Sequence, residues 1–104
     1  MASSTDSRRA APRAAIELPV TLARRHGNPI LSRTLDVGPG GMRVCSDRPL
    51  GIDEVLTFDL DCAGARVGGR ARVLREHVGR TYALRFEALP DQARDALLRL
   101  TGAG

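Results

Sequence analysis

A chain of 104 residues is one domain at most, able to bury about two thirds of its unfolded surface. With 3% aromatic residues its core must be built from Val, Leu, Ile and Ala, and no stretch nears the roughly 20 apolar residues of a membrane helix. The net charge is +4, and all 16 basic residues are arginine, whose planar fork pairs with phosphate and stacks on flat rings. An anionic, nucleotide-like partner suits that usage. The codon bias of a GC-rich genome explains the overall composition equally well, but not its local clustering.

Residues 1–7 are small and polar, and a disordered tail is expected there. Met1 to Ala15 is polar and arginine-rich, with no apolar run of the signal-peptide kind, so the expected location is the cytoplasm. Arg8-Arg9-Ala10-Ala11-Pro12-Arg13 is the densest charge cluster and is expected to be a mobile arm. Ile16, Leu18, Val20 and Leu22 then alternate with Glu17, Pro19, Thr21 and Ala23, the period of a half-buried strand. Pro19 within it implies an edge position or a bulge. His26-Gly27-Asn28-Pro29 marks a turn.

A second strand runs from Ile30 to Leu35 and enters the turn Asp36-Val37-Gly38-Pro39-Gly40-Gly41, which carries one acid and three glycines. Glycine serves where a backbone takes positive φ or another group comes close. Met42 and Val44 continue as a third strand, followed by a loop over 47–53. Leu56, Phe58, Leu60 and Cys62 alternate with polar residues in a fourth strand, and Ala63-Gly64 turns the chain back. Val67 to Glu76 reads as a fifth strand, with Gly68-Gly69 a bend or bulge at a barrel corner. Val78-Gly79-Arg80 leads into a sixth, where Tyr82, Leu84 and Phe86 share one face.

Pro90 and Asp91 open a helix, since proline fits the first turn and an acid there complements the dipole. Leu89, Ala93, Ala96, Leu97 and Leu100 form its apolar stripe, and Gly102 ends it. Six short strands with close turns and one terminal helix predict an all-β fold: a six-stranded antiparallel β-barrel with a C-terminal α-helix. The helix would cap an opening or pack on the outer wall. The barrel with its arginine arm is expected to span residues 8–101.

Nothing in the pattern supports catalysis or a metal. His26 and His77 stand alone in predicted turns, Asp59 and Asp61 read as a solvent-facing pair, and no phosphate-loop or hydrolase motif is present. Cys45 and Cys62 lack metal or redox spacing and read as reduced packing residues.

Arg9-x-x-x-Arg13, followed by Asp36-x-Gly38-x-x-Gly41, resembles the signature of PilZ domains, RxxxR and then (D/N)xSxxG. The resemblance runs from Arg8 to about Leu100 and includes Tyr82-Ala83-Leu84-Arg85-Phe86, similar to the last core strand of that family. It implies a small bacterial β-barrel that binds the second messenger cyclic di-GMP and acts through a downstream effector protein, with no further cofactor. Carried over by motif, Arg8, Arg9 and Arg13 would clasp the ligand, and Asp36 would accept hydrogen bonds from a guanine N1–H and N2 amino group. Gly41 would supply a backbone shape that a side chain would block. Gly38 stands where the family has serine, so one hydroxyl contact is lost. A neutral hydrogen bond is worth about 0.5–1.5 kcal/mol, a three- to tenfold effect on binding.

Val37 and Met42 beside the turn read as packing residues, and Arg43 as a solvated residue or a further phosphate contact. Arg70, Arg72, Arg75 and Arg85, on two neighbouring predicted strands, read as a basic wall suited to a second phosphate or an acidic partner, or as an ordinary barrel exterior. Two other readings stay open. One is a PilZ-like adaptor for motility or type IV pilus machinery that binds no nucleotide, which Gly38 favours. The other is a small nucleic-acid-binding barrel, which is weakened because Tyr82, Phe58 and Phe86 all read as core and leave no stacking platform.

Overall fold

The computed structural model describes residues 14–62 and 64–100. The tail over 1–7, the arginines Arg8, Arg9 and Arg13, Ala63 and Gly102 lie outside the described residues.

Alternation decides the core. Successive strand residues face opposite sides of a sheet, and in this chain the inward set is Val20 and Leu22, Met42 and Val44, Leu56, Phe58 and Leu60, Ala71 and Val73, and Tyr82 and Leu84, all buried. The strands that carry them are β1 (Pro19–Ala23), β2 (Ile30–Gly38), β3 (Gly41–Ser46), β4 (Val55–Cys62), β5 (Ala65–His77) and β6 (Thr81–Ala88). They pair antiparallel in the order β1-β2-β3-β6-β5-β4, and β4 returns to β1 to close a barrel. Closure removes the exposed edges that an open sheet would present.

Pro19 therefore occupies neither an edge nor a bulge. It is the first residue of β1, paired with Arg33, where a missing N–H costs least. The segment before it is not part of the ladder. Thr34 holds it on both sides: its N–H donates to the Leu18 carbonyl (3.0 Å), and its buried hydroxyl donates to the Ile16 carbonyl (2.7 Å) and accepts from the Leu18 N–H (2.8 Å).

The Gly68-Gly69 pair pairs with β4 without a break, at Asp59 and Phe58. The irregularities of β5 come later, against β6, between Arg70 and Ala71 and between Val73 and Arg75. Gly69 is required by close approach, because a Cβ there would strike the Ala88 carbonyl oxygen.

The helix α1 (Asp91–Leu100) carries an acid in its first turn and an arginine in its last, matching the dipole at both ends. It touches β5, β4 and β2. In the ring order β2 and β5 stand opposite each other, so α1 must cross an opening of the barrel. Ala93 and Leu97 enter the core there, with Leu89, Ala96 and Leu100 packed beside them. No helix among the described residues is long and apolar enough to cross a membrane.

Candidate functional site

The acid of the glycine-rich segment lies in a strand. β2 continues past Leu35 to Gly38, and β3 begins at Gly41, so the connection shrinks to Pro39-Gly40. A bulge between Thr34 and Asp36 makes this geometry. Thr34 and Val37 are both fully buried although three positions apart. One extra residue between them restores the parity and turns Asp36 to the outer side, in register with Arg43.

There the Arg43 guanidinium donates from Nε to Asp36 Oδ2 at 2.6 Å. The partners are unequal: the arginine side chain is 50% exposed and the aspartate 11%. Arg43 is thus neither plainly solvated nor unengaged; it covers the acid. Val37 and Met42 are core residues, as their pattern implies.

Gly41 faces the neighbouring strand. A Cβ at that position would collide with the Leu84 carbonyl oxygen. Among the described residues the glycines with positive φ are Gly27, Gly64 and Gly79, so the glycines of this hairpin do not serve by left-handed geometry. Gly38 is buried, its Cα in register with that of Gly41. The Phe86 N–H donates to the Gly40 carbonyl (3.0 Å) and ties the turn to β6.

The chain entering the barrel meets this hairpin. Ala14 bridges Val37 through two backbone hydrogen bonds, its N–H to the Val37 carbonyl (2.8 Å) and the Val37 N–H to its own carbonyl (3.0 Å). Val37 lies between Asp36 and Gly38, and Ala14 follows Arg13 directly in the chain.

Pairing registers place Asp36, Arg43, Ala83 and Arg75 in one row across β2, β3, β6 and β5. A groove of about 430 Å³ runs along that row, its lining completed by Leu74 and His77. Ala83 contributes only a methyl group to the wall between the two guanidiniums. Sequence reasoning did not connect Arg75 or His77 with Asp36. His77 is the last residue of β5 and no turn residue, and the bulge at Leu74 shifts the parity that would have placed Arg75.

The predicted basic wall is divided. Arg72 and Arg85 are cross-strand neighbours, and both bind Glu87, with Arg72 Nε at 2.8 Å and Arg85 Nη2 at 3.2 Å. Their hydrogen bonds hold the Glu87 carboxyl below the usual glutamate range. Arg75 belongs to the Asp36 groove, and Arg70 lines a different groove together with Arg72.

Elsewhere several polar residues are locally engaged, while the buried Ser32 hydroxyl has no hydrogen-bond partner among the described residues. Asp59 pairs with Arg66, and Asp61 accepts the Gly64 N–H (3.1 Å). Tyr82 and Phe58 are buried, and half-buried Phe86 stacks on Phe58 at 5.0 Å between ring centroids. Both cysteines are free thiols, and burial pushes the Cys62 thiol up.

These features define a class: a closed six-stranded antiparallel barrel, capped by one helix, whose entering chain is stitched to an acid-bearing hairpin. The sequence model of the PilZ domain matches residues 7–103. The chain belongs to the PilZ domain family, a family of cyclic di-GMP receptors. Solved structures agree on the fold. The inhibitor of motility MotI/DgrA of Bacillus subtilis superposes with a TM-score of 0.75 at 19% identity, over 88% of this chain and 48% of that one. This chain thus spans about half the length of that protein. The PilZ domain of CeSA from a cellulose-synthesizing bacterium gives a TM-score of 0.67 at 19% identity, over 86% of this chain and 94% of that one. Comparison with curated proteins finds no match.

Proposed function

We propose that this PilZ domain is a receptor for cyclic di-GMP that signals through contact with an effector protein. The observation that carries the reading is the Ala14–Val37 bridge. It stitches the residue next to Arg13 alongside the strand that holds Asp36 and Gly38. Consecutive Cα atoms are about 3.8 Å apart, and Ala14 follows Arg13 in the sequence, so the arginine motif is joined to the chain at a residue bridged to Val37, next to Asp36. Cyclic di-GMP offers two guanines and two phosphates. Guanidiniums pair bidentately with guanine O6 and N7 and with phosphate, and Asp36 accepts from the guanine N1–H and N2 amino group.

Arg43 already neutralises Asp36. A guanine that donates to further lone pairs of that carboxylate, with Arg43 kept in place, does not bury a bare charge, which would be far more costly. Closing the arginines on the ligand costs conformational entropy, offset by charge-assisted contacts. The closed segment then offers a new surface to the effector. A constant-contact adaptor that binds no nucleotide is the second reading. It is favoured by one observation: Gly38 is buried and brings no hydroxyl to the site.

A calorimetric titration with cyclic di-GMP tests the proposal. Saturable binding in the micromolar range or tighter, abolished by Arg9→Ala and by Asp36→Ala, is the expected result. No heat at high ligand concentration would sink the receptor reading in favour of the adaptor.

A further inference from the structure

A second groove lies where β1 ends and β4 and β5 run side by side. Its volume is about 530 Å³. Four arginines surround it, Arg24, Arg25, Arg70 and Arg72, against a single lining acid, Glu87. Register explains the gathering. Ala23, Thr57 and Arg70 form one row across β1, β4 and β5, and Val55 and Arg72 form the next. Thr57 and Ala23 are small and leave room between the guanidiniums.

The four arginines are not equivalent. Arg24 grips Glu54 and donates to the Pro49 carbonyl (2.9 Å), which fixes the loop before β4. Arg72 binds Glu87 and the Asp53 carbonyl (3.1 Å). These two are structural staples. Arg25 and Arg70 are exposed, and among the described residues no acid pairs with either. The segment stapled by Arg24 also presents apolar surface, with Ile52 53% exposed and Val55 40% exposed. The groove thus combines two guanidiniums without an acid partner among the described residues, two that are paired, and the exposed aliphatic Val55 in its lining.

We propose that this groove is a docking surface for an acidic, partly aliphatic segment of a partner protein, whose carboxylates pair with Arg25 and Arg70 across Thr57. Charge complementarity selects the carboxylate. The exposed aliphatic surface selects a peptide over a polyphosphate chain, and among the described residues no aromatic ring is exposed for base stacking. The surface is separate from the Asp36 groove and does not depend on nucleotide binding.

The test is a titration of the isotope-labelled full chain with a synthetic peptide of repeating Glu-Glu-Leu, followed by amide shifts, with oligothymidylate as the rival probe. Shifts are expected to cluster at Ala23 to Arg25, Val55 to Thr57 and Arg70 to Arg72. Arg25→Glu with Arg70→Glu should weaken peptide binding about tenfold. Arg33→Glu with Arg94→Glu, the same charge change elsewhere, should leave it within about twofold. Both acceptor positions are exposed, so the fold should survive; the milder Arg25→Gln with Arg70→Gln should give a smaller loss in the same direction. Shifts scattered over the surface, absent shifts, equal losses in both double variants, or tighter binding of oligothymidylate at the groove would each overturn the proposal.

Discussion

The two grooves use the same chemistry, an arginine against a carboxylate, in different settings. At the hairpin the acid is sunk in the wall and the arginine lies over it, 11% against 50% exposed. Around the second groove exposure is shared, 25% for Glu54 against 37% for Arg24, and 26% for Glu87 against 34% for Arg72. A buried acid under a half-exposed cation is a fixed acceptor that a ligand's donors can address. A pair shared at the surface is screened by water and contributes about 0–1 kcal/mol, and its work is to position neighbours. The difference comes from the backbone. The bulge at Leu35 turns Asp36 against the wall, whereas Glu54 reaches Arg24 from a loop.

The largest expected effect breaks the hairpin itself. Gly41→Val must push Leu84 away, and backbone cannot yield as a flexible side chain does. A loss of about 2–4 kcal/mol is expected in urea melts. Gly40→Ala, one residue away, has nothing within 4 Å of its new Cβ and should stay within about 0.5 kcal/mol. Equal losses at both positions would show that turn conformation, not close approach, selects these glycines.

Next in size is the link from the core to the stapled loop. The buried Tyr82 hydroxyl accepts the Leu50 N–H (3.0 Å) and donates to Glu76 (3.4 Å). Tyr82→Phe leaves that buried N–H unpaired and should cost about 1–2 kcal/mol, read as a lower urea midpoint at unchanged slope. An unchanged midpoint would mean that the Arg24 and Arg72 contacts and the backbone bonds to Val73 hold the loop without the tyrosine hydroxyl.

The smallest effect belongs to that pair. The Arg24 hydrogen bond holds the Glu54 carboxyl below the usual range. A depressed acid stabilises the fold above its unfolded value, about 4.3, and that contribution fades as pH falls through the lowered folded value. Both side chains are partly solvated, so Glu54→Gln should cost less than about 1 kcal/mol at neutral pH. The gap between the wild type and the variant should close in acid. A gap that is constant with pH would remove the ion pair from the explanation.

Much of this was legible from residue order. Period-two alternation located the first and fourth strands, turn signals and apolar runs placed the others, and the stripe Leu89, Ala93, Ala96, Leu97 and Leu100 located the helix and its buried face. The site residues that were missed on the hairpin wall lie where parity breaks. The run Thr34-Leu35-Asp36-Val37 reads as a strand leaving for a turn, yet a bulge keeps it in the sheet. The bulge at Leu74 likewise hides Arg75 and His77 from the hairpin. Pairing registers are long-range facts, so the row from Asp36 to Arg75 has no local signal. The arginine groove drew Arg25 from a loop that alternation does not read. The motif residues Asp36, Gly38 and Gly41 are gathered on one hairpin, and Ala14 brings the chain that follows Arg13 to it.

The central claim is that cyclic di-GMP binds at the hairpin wall. Amide shift mapping of the labelled chain with that ligand tests it most directly. The account expects the large shifts at Ala14, at Asp36 to Gly41 and at Arg43, with Arg25, Thr57 and Arg70 unmoved. No shifts, or shifts centred on Arg25 and Arg70, would contradict it.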